Sequence, residues 1–521
     1  MTGDAVKCSV ARCAAAARAA SNRTAIAAAL LACLGAAAAA APAAPSSLSL
    51  SDTVGGTKLP YAPRQDPATY EHAPAGFVPV QLQLVARHGA RGLTGMKGEL
   101  ALLNLCRRAR DDRALTPLGA RLQADLEALI RANALLGAGV DGVAKPGYGN
   151  LSLIGIDEHR GLARRTVARL PALFDGGGGG AIVVEHSGVD RARDSAAAYV
   201  KALLQARPAL APQVQEAGAN RYTLYFHKLN AKTDSGSDSA AQQGWRADVL
   251  RASRAYQAYL DSPVLAARLE AIEADPRLRP AAHAVLGRLF RPAFLARLER
   301  GAIRTANTGS VAFTGAGGFE STLQGDGKAV IANAVDALQA LGDVHDIAPG
   351  LARELDGRDF GAYLPPQHAR LLARLKDAED FYEKGPGLRE QDGVTWRMAG
   401  GLAGELLREL DGGEPGAHLR FTHAEIMIPL AAALGLPGKS EPLPQAATYG
   451  AGAGRWRSAD VAPYSANLQW DVYRHPDGRR IVHMLWNEAE TDFKPACDGA
   501  RIAPASHYYD VASLRACYGR D

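Results

Sequence analysis

The stretch Gln83-Leu84-Val85-Ala86-Arg87-His88-Gly89-Ala90-Arg91 is an apolar, β-prone run that stops abruptly in two guanidinium groups flanking an imidazole. It reads as a strand that delivers polar groups to its carboxyl end, where open α/β sheets build their sites. Gly89 lets the backbone turn tightly beside a ligand. Arg87 and Arg91 present forks of N–H donors that match the tetrahedral oxygens of a phosphate. His88, when neutral, offers a ring nitrogen as nucleophile or base. Taken alone, Arg-His-Gly also arises by chance, with His88 an ordinary surface histidine.

At 521 residues the chain exceeds one typical domain, so a core with a large insertion, or two domains, is expected. Hydrophobic residues at 47% with 22% charged exclude disorder along most of the length. Residues 1–44 read as a secretory signal: Arg18 and Arg23 precede an Ala-rich apolar run from Thr24 to Ala40, with cleavage near Ala41 or Ala44. The run is short for a membrane span. Leu30-Leu31-Ala32-Cys33 also resembles a lipoprotein box, which would anchor the chain to a membrane through Cys33. Export to the periplasm or beyond is therefore expected. The formal charge of +5 shrinks once Lys7, Arg12, Arg18, Arg23 and Asp4 are set aside with this leader, so no nucleic-acid partner is indicated. Nothing calls for a stable protein partner either. Of six cysteines, Cys8, Cys13 and Cys33 fall in the leader; in an oxidising compartment Cys497 and Cys517 then pair, leaving Cys106 a free, buried thiol.

Along the chain, 45–75 is an extended lead-in rich in Ser, Pro, Gly and Thr. A first strand spans Phe77 to Ala86, and helices span Leu115 to Leu136 and Gly155 to Phe174. The glycine run 176–180 lacks a following Gly-Lys-Ser/Thr and reads as a connector, not a phosphate loop. A second strand, Ala181 to His186, leads into a helix from Arg191 to Leu204. Arg191, at the positive end of that helix, can join the same anion pocket; the other reading is a solvated Arg/Asp pair. From 210 to 380 amphipathic stretches dominate, such as Trp245 to Leu260 and Pro366 to Tyr382. His418 to Phe421 is again a short strand, ending in Thr422-His423-Ala424-Glu425, and strands Asn467 to Tyr473 and Arg480 to Trp486 complete the sheet. The expected fold is α/β: a mainly parallel sheet flanked by helices over 76–209 and 381–521, with a mostly helical insertion or cap over 210–380.

Arg87-His88-Gly89-x-Arg91, Arg191 before Asp194-Ser195-Ala196, and His423-Ala424-Glu425 together resemble the histidine acid phosphatase branch of the histidine phosphatase superfamily. The His-Ala-Glu form is more narrowly similar to the multiple inositol polyphosphate phosphatases. Gly155-Ile156-Asp157-Glu158-His159-Arg160-Gly161, Tyr382-Glu383-Lys384-Gly385-Pro386-Gly387 and Val461-Ala462-Pro463-Tyr464-Ser465-Ala466-Asn467 match in order, over about 76 to 517. One departure is the loop after Arg91, where Thr94 is kept but the family's proline is absent.

The resemblance implies a phosphatase that needs no metal or other cofactor. His88 attacks phosphorus to form a phosphohistidine, while Arg87, Arg91, Arg191 and His423 surround the non-bridging oxygens. Glu425 protonates the leaving oxygen and then activates water. Since arginines beside Glu425 favour its charged form, an acidic optimum is expected. The implied substrate is an inositol polyphosphate such as phytate, with Thr94, Lys97 and Lys384 contacting it beyond the catalytic pocket. The alternative is a broad acid phosphatase, or one for sugar phosphates or bisphosphoglycerate. A binding protein without activity is disfavoured, since a binder has no use for an acid beside the clamp.

Overall fold

The apolar run around Leu84 is strand β1 (Val78–Arg87), in the middle of an eight-stranded sheet. The structure, a computed structural model, describes residues 54–521 except 144, 176–179, 231–233, 235–239, 413–415, 451–455 and 520–521. The leader with Cys8, Cys13 and Cys33, the first part of the lead-in, and most of the glycine run lie outside the described residues.

The other strands are β2 (Ile182–His186), β3 (Val214–Ala219), β4 (Ala417–Thr422), β5 (Asn467–Arg474), β6 (Arg480–Trp486), β7 (Ala489–Glu490) and β8 (Tyr508–Asp510). Across the sheet they run β7-β6-β5-β1-β4-β2-β3, with β8 paired to β6. β1, β4, β2 and β3 are parallel; β5 pairs with β1 antiparallel, and β6, β7 and β8 continue antiparallel. Leu82, Leu84 and Ala86 point to one face of β1 and Val85 to the other, and both faces are covered. Helices α3 (Leu153–Arg169) and α4 (Asp190–Ala206) cover the first face with Leu162, Val167 and Tyr199. Helices α6 (Gly400–Glu409) and α7 (Ala424–Ala433) cover the second with Leu402, Leu406, Ile426 and Leu430. The fold is thus α/β, a mixed sheet with its parallel half between helical layers.

A separate apolar core lies outside the sheet. It joins α1 (Gly98–Asp111) and α2 (Pro117–Ala134) to the helices between 278 and 371, through residues such as Leu103, Leu129, Leu286, Phe290 and Leu341. The helical part is therefore built from two stretches of chain, and β3, at 214–219, belongs to the sheet although it falls inside the stretch read as insertion. That stretch also holds two small antiparallel ribbons, 305–306 with 330–331 and 310–314 with 320–324. α1 has no counterpart in the sequence reading. Leu100, Leu103 and Cys106 bury one of its faces, but Lys97 at its start offers no side-chain cap, and Glu99 instead accepts the Lys97 N–H from inside the first turn. Cys106 is free and buried, and Cys497 and Cys517 are bridged. No helix among the described residues is long and apolar enough to cross a membrane.

Where β1 ends, its loop crosses the first turn of α3, capped by Ser152, at two facing glycines. A methyl group on Gly89 would overlap the Gly155 carbonyl, and one on Gly155 would overlap the Ala90 carbonyl. Backbone yields little, so the expected cost of Gly155→Ala is about 2–4 kcal/mol. Chemical denaturation of the variant against the wild type checks this, and equal stability would refute the close approach.

Candidate active site

The sheet register brings the two motif ends together. Arg87 pairs with Thr422 across β1 and β4, so His88 and His423 leave the sheet side by side. The His88 N–H donates to the Thr422 carbonyl at 2.8 Å, and the Ser465 N–H donates to the His88 carbonyl at 3.1 Å. Gly89 N–H donates to Ser195 Oγ on α4 at 3.1 Å, and Ser195 Oγ donates to the Arg191 carbonyl at 2.8 Å. Glu158 on α3 accepts from Ala90 N–H and from Ser465 Oγ, each at 2.8 Å. The loop that carries His88 is thereby fixed to β4, to the segment before β5, and to both helices of one layer.

His88 Nδ1 lies 2.9 Å from the Gly89 carbonyl. A carbonyl only accepts, so Nδ1 carries the proton and Nε2 keeps its lone pair. Burial, then Arg191 and Arg87, hold the imidazole well below its usual range, so it stays neutral. The His423 ring stands edge-on to it at 5.3 Å. The three arginines of the sequence reading all converge here. Burial pushes the Arg87 and Arg191 guanidiniums down to about 10, with Arg91 pressing the same way, and both remain charged. Arg87 Nη1 donates to the Ala462 carbonyl at 2.7 Å and to that of Thr57, and its guanidinium lies 4.7 Å over the Tyr464 ring. Arg91 Nη1 donates to the Gly92 carbonyl at 2.6 Å. Nε of Arg87, Arg91 and Arg191, and Nδ1 of His423, are buried with no protein partner.

Glu425 lies in the first turn of α7. Burial alone would raise its carboxyl, but Lys384, then His227 and His423, override this and hold it well below the usual carboxylate range. The main cation acting on Glu425 is thus Lys384, where the sequence reading placed arginines. Lys384 ends helix α5 (Pro366–Glu383) and sits 2.8 Å from Asp380; Asp380 and Glu425 keep its ammonium charged against burial. Of the three residues assigned to outer contacts, Lys384 therefore stands inside the cluster. Thr94 and Lys97 are exposed on the loop after Arg91, and among the described residues no hydrogen bond joins their side chains to the cluster.

Several members were not singled out from sequence. Tyr225 packs against His423 at 5.3 Å and against His227 at 4.6 Å, and burial pushes His227 down to about 4. They follow β3 in a stretch with no period or motif to mark it. Glu158 and Tyr464 did lie within recognisable motifs, but nothing in those motifs tells which side chain points inward.

Among the described residues one group brings three potential metal ligands together: Glu185, Glu405 and His418. The Arg420 guanidinium stands among them, bonded to Glu405 at 2.9 Å and to Glu409 at 2.7 Å, so a fixed cation already engages these acids. His418 is five residues before His423 on an extended strand, roughly 16 Å away. The group is an ion network apart from the cluster.

A neutral imidazole with a free lone pair, three guanidiniums with unused donors and one carboxyl group suit transfer of a tetrahedral anion. The sequence profile described as the Histidine phosphatase superfamily (branch 2) matches residues 302–487, a span that includes His423 and Glu425. No curated protein matches the sequence. Among solved structures, the Bifidobacterium longum multiple inositol polyphosphate phosphatase in complex with inositol hexasulfate is 30% identical, over 89% of this chain and 97% of its own, with a TM-score of 0.75. The phosphate complex of the same enzyme gives 29% identity, the same coverage and a TM-score of 0.78. The phytase from D. castellii, 13% identical over 92% of this chain and 88% of its own at a TM-score of 0.52, shares the fold alone. With that bifidobacterial enzyme matched along nearly its whole length, the chain belongs to branch 2 of the histidine phosphatase superfamily and is a phosphatase.

Proposed function

We propose that this phosphatase removes phosphates stepwise from inositol polyphosphates through a phosphohistidine at His88. The unused polar atoms carry the proposal: the Nε–H donors of three arginines, beside His423 Nδ1, are all buried and without a protein partner. Buried donors are rarely left unsatisfied, and a phosphoryl group supplies the acceptors in tetrahedral array. His88 Nε2 attacks phosphorus while the bond to the inositol oxygen breaks. The charge on the non-bridging oxygens is met by Arg87, Arg91, Arg191 and His423. Glu425 gives its proton to the leaving oxygen, then takes one from the water that cleaves the phosphorus–nitrogen bond.

The inositol hexasulfate bound by the bifidobacterial relative supports a ring bearing several tetrahedral anions as the substrate. One catalytic pocket holds one of these groups; Thr94 and Lys97, exposed on the loop after Arg91, are assigned to the others. The leader-like N-terminus and the Cys497–Cys517 bridge support an exported protein.

In the acid role Glu425 must hold a proton. Its pKa is depressed, so the protonated form is present at low pH and is lost as pH rises, and the turnover number should fall from an acidic optimum. Lys384→Met removes the main depressing charge and should move that falling limb upward by about one pH unit. A profile of kcat against pH for both proteins decides it; an unmoved limb would show that Lys384 does not set this proton. For the nucleophile, His88→Ala should lower kcat by about 10⁴-fold or more. Acid quenching during turnover of labelled inositol hexakisphosphate should trap phosphoprotein in the wild type and none in the variant. Preference for p-nitrophenyl phosphate or glucose 1-phosphate over inositol hexakisphosphate would point instead to a broad acid phosphatase.

A further inference from the structure

Ser187 follows β2 directly and is fully buried. Its N–H donates to the Phe421 carbonyl at 3.1 Å, so it stands beside Thr422-His423 as that strand leaves the sheet. Its hydroxyl oxygen accepts the Val189 N–H at 3.3 Å and lies 2.7 Å from His423 Nε2. A hydroxyl has one proton, and a buried hydroxyl donates it where an acceptor is in reach. Among the described residues that acceptor is Nε2. A neutral imidazole that accepts at Nε2 carries its hydrogen on Nδ1. Nδ1 is the atom of His423 that is buried without a protein partner, on a ring standing edge-on to His88.

We propose that Ser187 is a positioning residue: it fixes neutral His423 in the tautomer with hydrogen on Nδ1, so that His423 donates an N–H bond to the transferring phosphoryl group. In the opposite tautomer Nδ1 would aim a lone pair at a phosphate oxygen. A doubly protonated ring would also donate, but burial and then Arg191 hold His423 well below its usual pKa. The ring has little freedom to turn, since Tyr225 and His88 each stand edge-on to it at 5.3 Å. The catalytic consequence rests on the phosphoryl-transfer reading above; the tautomer itself does not.

The full chain labelled with ¹⁵N-histidine tests both parts, with the His423 signals assigned by their loss in His423→Gln. Between about pH 5 and pH 8 the wild type should show a protonated Nδ1 and a bare Nε2, and Ser187→Ala should bring in the Nε2-protonated form. With inositol hexakisphosphate, Ser187→Ala should lower kcat by about 10–100-fold and leave KM within about 3-fold, while Ser187→Thr should restore both tautomer and rate. Should Ser187→Ala fail to fold, Ser187→Cys, a weaker donor, should show the same drift in the nitrogen spectrum. A wild type protonated at Nε2 would overturn the proposal, as would a Ser187→Ala protein with unchanged spectrum and kcat. If acid quenching traps no phosphoprotein in the wild type, the phosphohistidine reading fails while the nitrogen spectrum still decides the role of Ser187.

Discussion

Three guanidinium groups gathered in one buried place repel one another, and much of the surrounding framework serves to hold them there. Arg87 and Arg191 keep their charge despite burial, and Glu425 faces both with the opposite sign. Repulsion of this kind is strong where water is scarce. The scaffold answers with backbone. Arg87 is the last residue of a strand hydrogen-bonded on both sides, to β4 and to β5. Arg191 begins a helix whose Ser195 is bonded to Gly89. The backbone that carries Arg87 and Arg191 is thus held by hydrogen bonds within the protein itself.

Behind the sheet, the same rigidity is carried by a buried polar layer. Asn467, Gln469 and Asp471 alternate along β5 and face α3, where Arg169 donates to Asp471 at 2.8 Å and to Gln469 at 2.7 Å. At the turn between β6 and β7, Asn487 and Glu488 both adopt left-handed backbone, with φ of 54° and 57°. Such a conformation costs a non-glycine residue about 1 kcal/mol or more. Both side chains are fully engaged: Asn487 accepts the Asn467 N–H at 3.1 Å, and Glu488 pairs with Arg165 at 2.7 Å and accepts from Tyr61 at 2.8 Å. The Tyr61 N–H in turn donates to Glu158, whose other oxygen holds Ala90. Strain at the turn is therefore tied by an unbroken chain of bonds to the loop bearing His88.

What could be read from sequence divides along physical lines. β1 was legible because a mostly apolar run ends in a polar cluster, β4 because Leu419 and Phe421 alternate with polar residues just before His423-Ala424-Glu425, and the Cys497–Cys517 pair because few cysteines remain beyond the leader. α1 was not, because its cap comes from Glu99 within the helix. The sheet's reach to 214–219 was missed because β3 is a short edge strand with exposed residues and no clear alternation. The dominance of Lys384 over the arginines at Glu425 was beyond sequence, since it depends on where α5 ends relative to α7. Likewise, no spacing could reveal that Tyr225 and His227 would pack on His423, two hundred residues further along.

The electrostatics leave the proposed reaction two opposing demands. A nucleophilic imidazole that works in acid must resist protonation, and burial among arginines secures that for His88. The same positive surroundings, with Lys384 foremost, strip the proton from Glu425, which the leaving oxygen needs. A bound phosphoryl group eases the conflict, because its negative charge offsets the cations and makes the carboxyl a better proton holder. It raises the basicity of His88 as well, but Nδ1 is already committed to the Gly89 carbonyl and Nε2 would point at phosphorus, leaving no room there for a proton. Substrate charge thus restores the acid without disabling the nucleophile, which favours substrates whose neighbouring groups bring further negative charge to the same pocket.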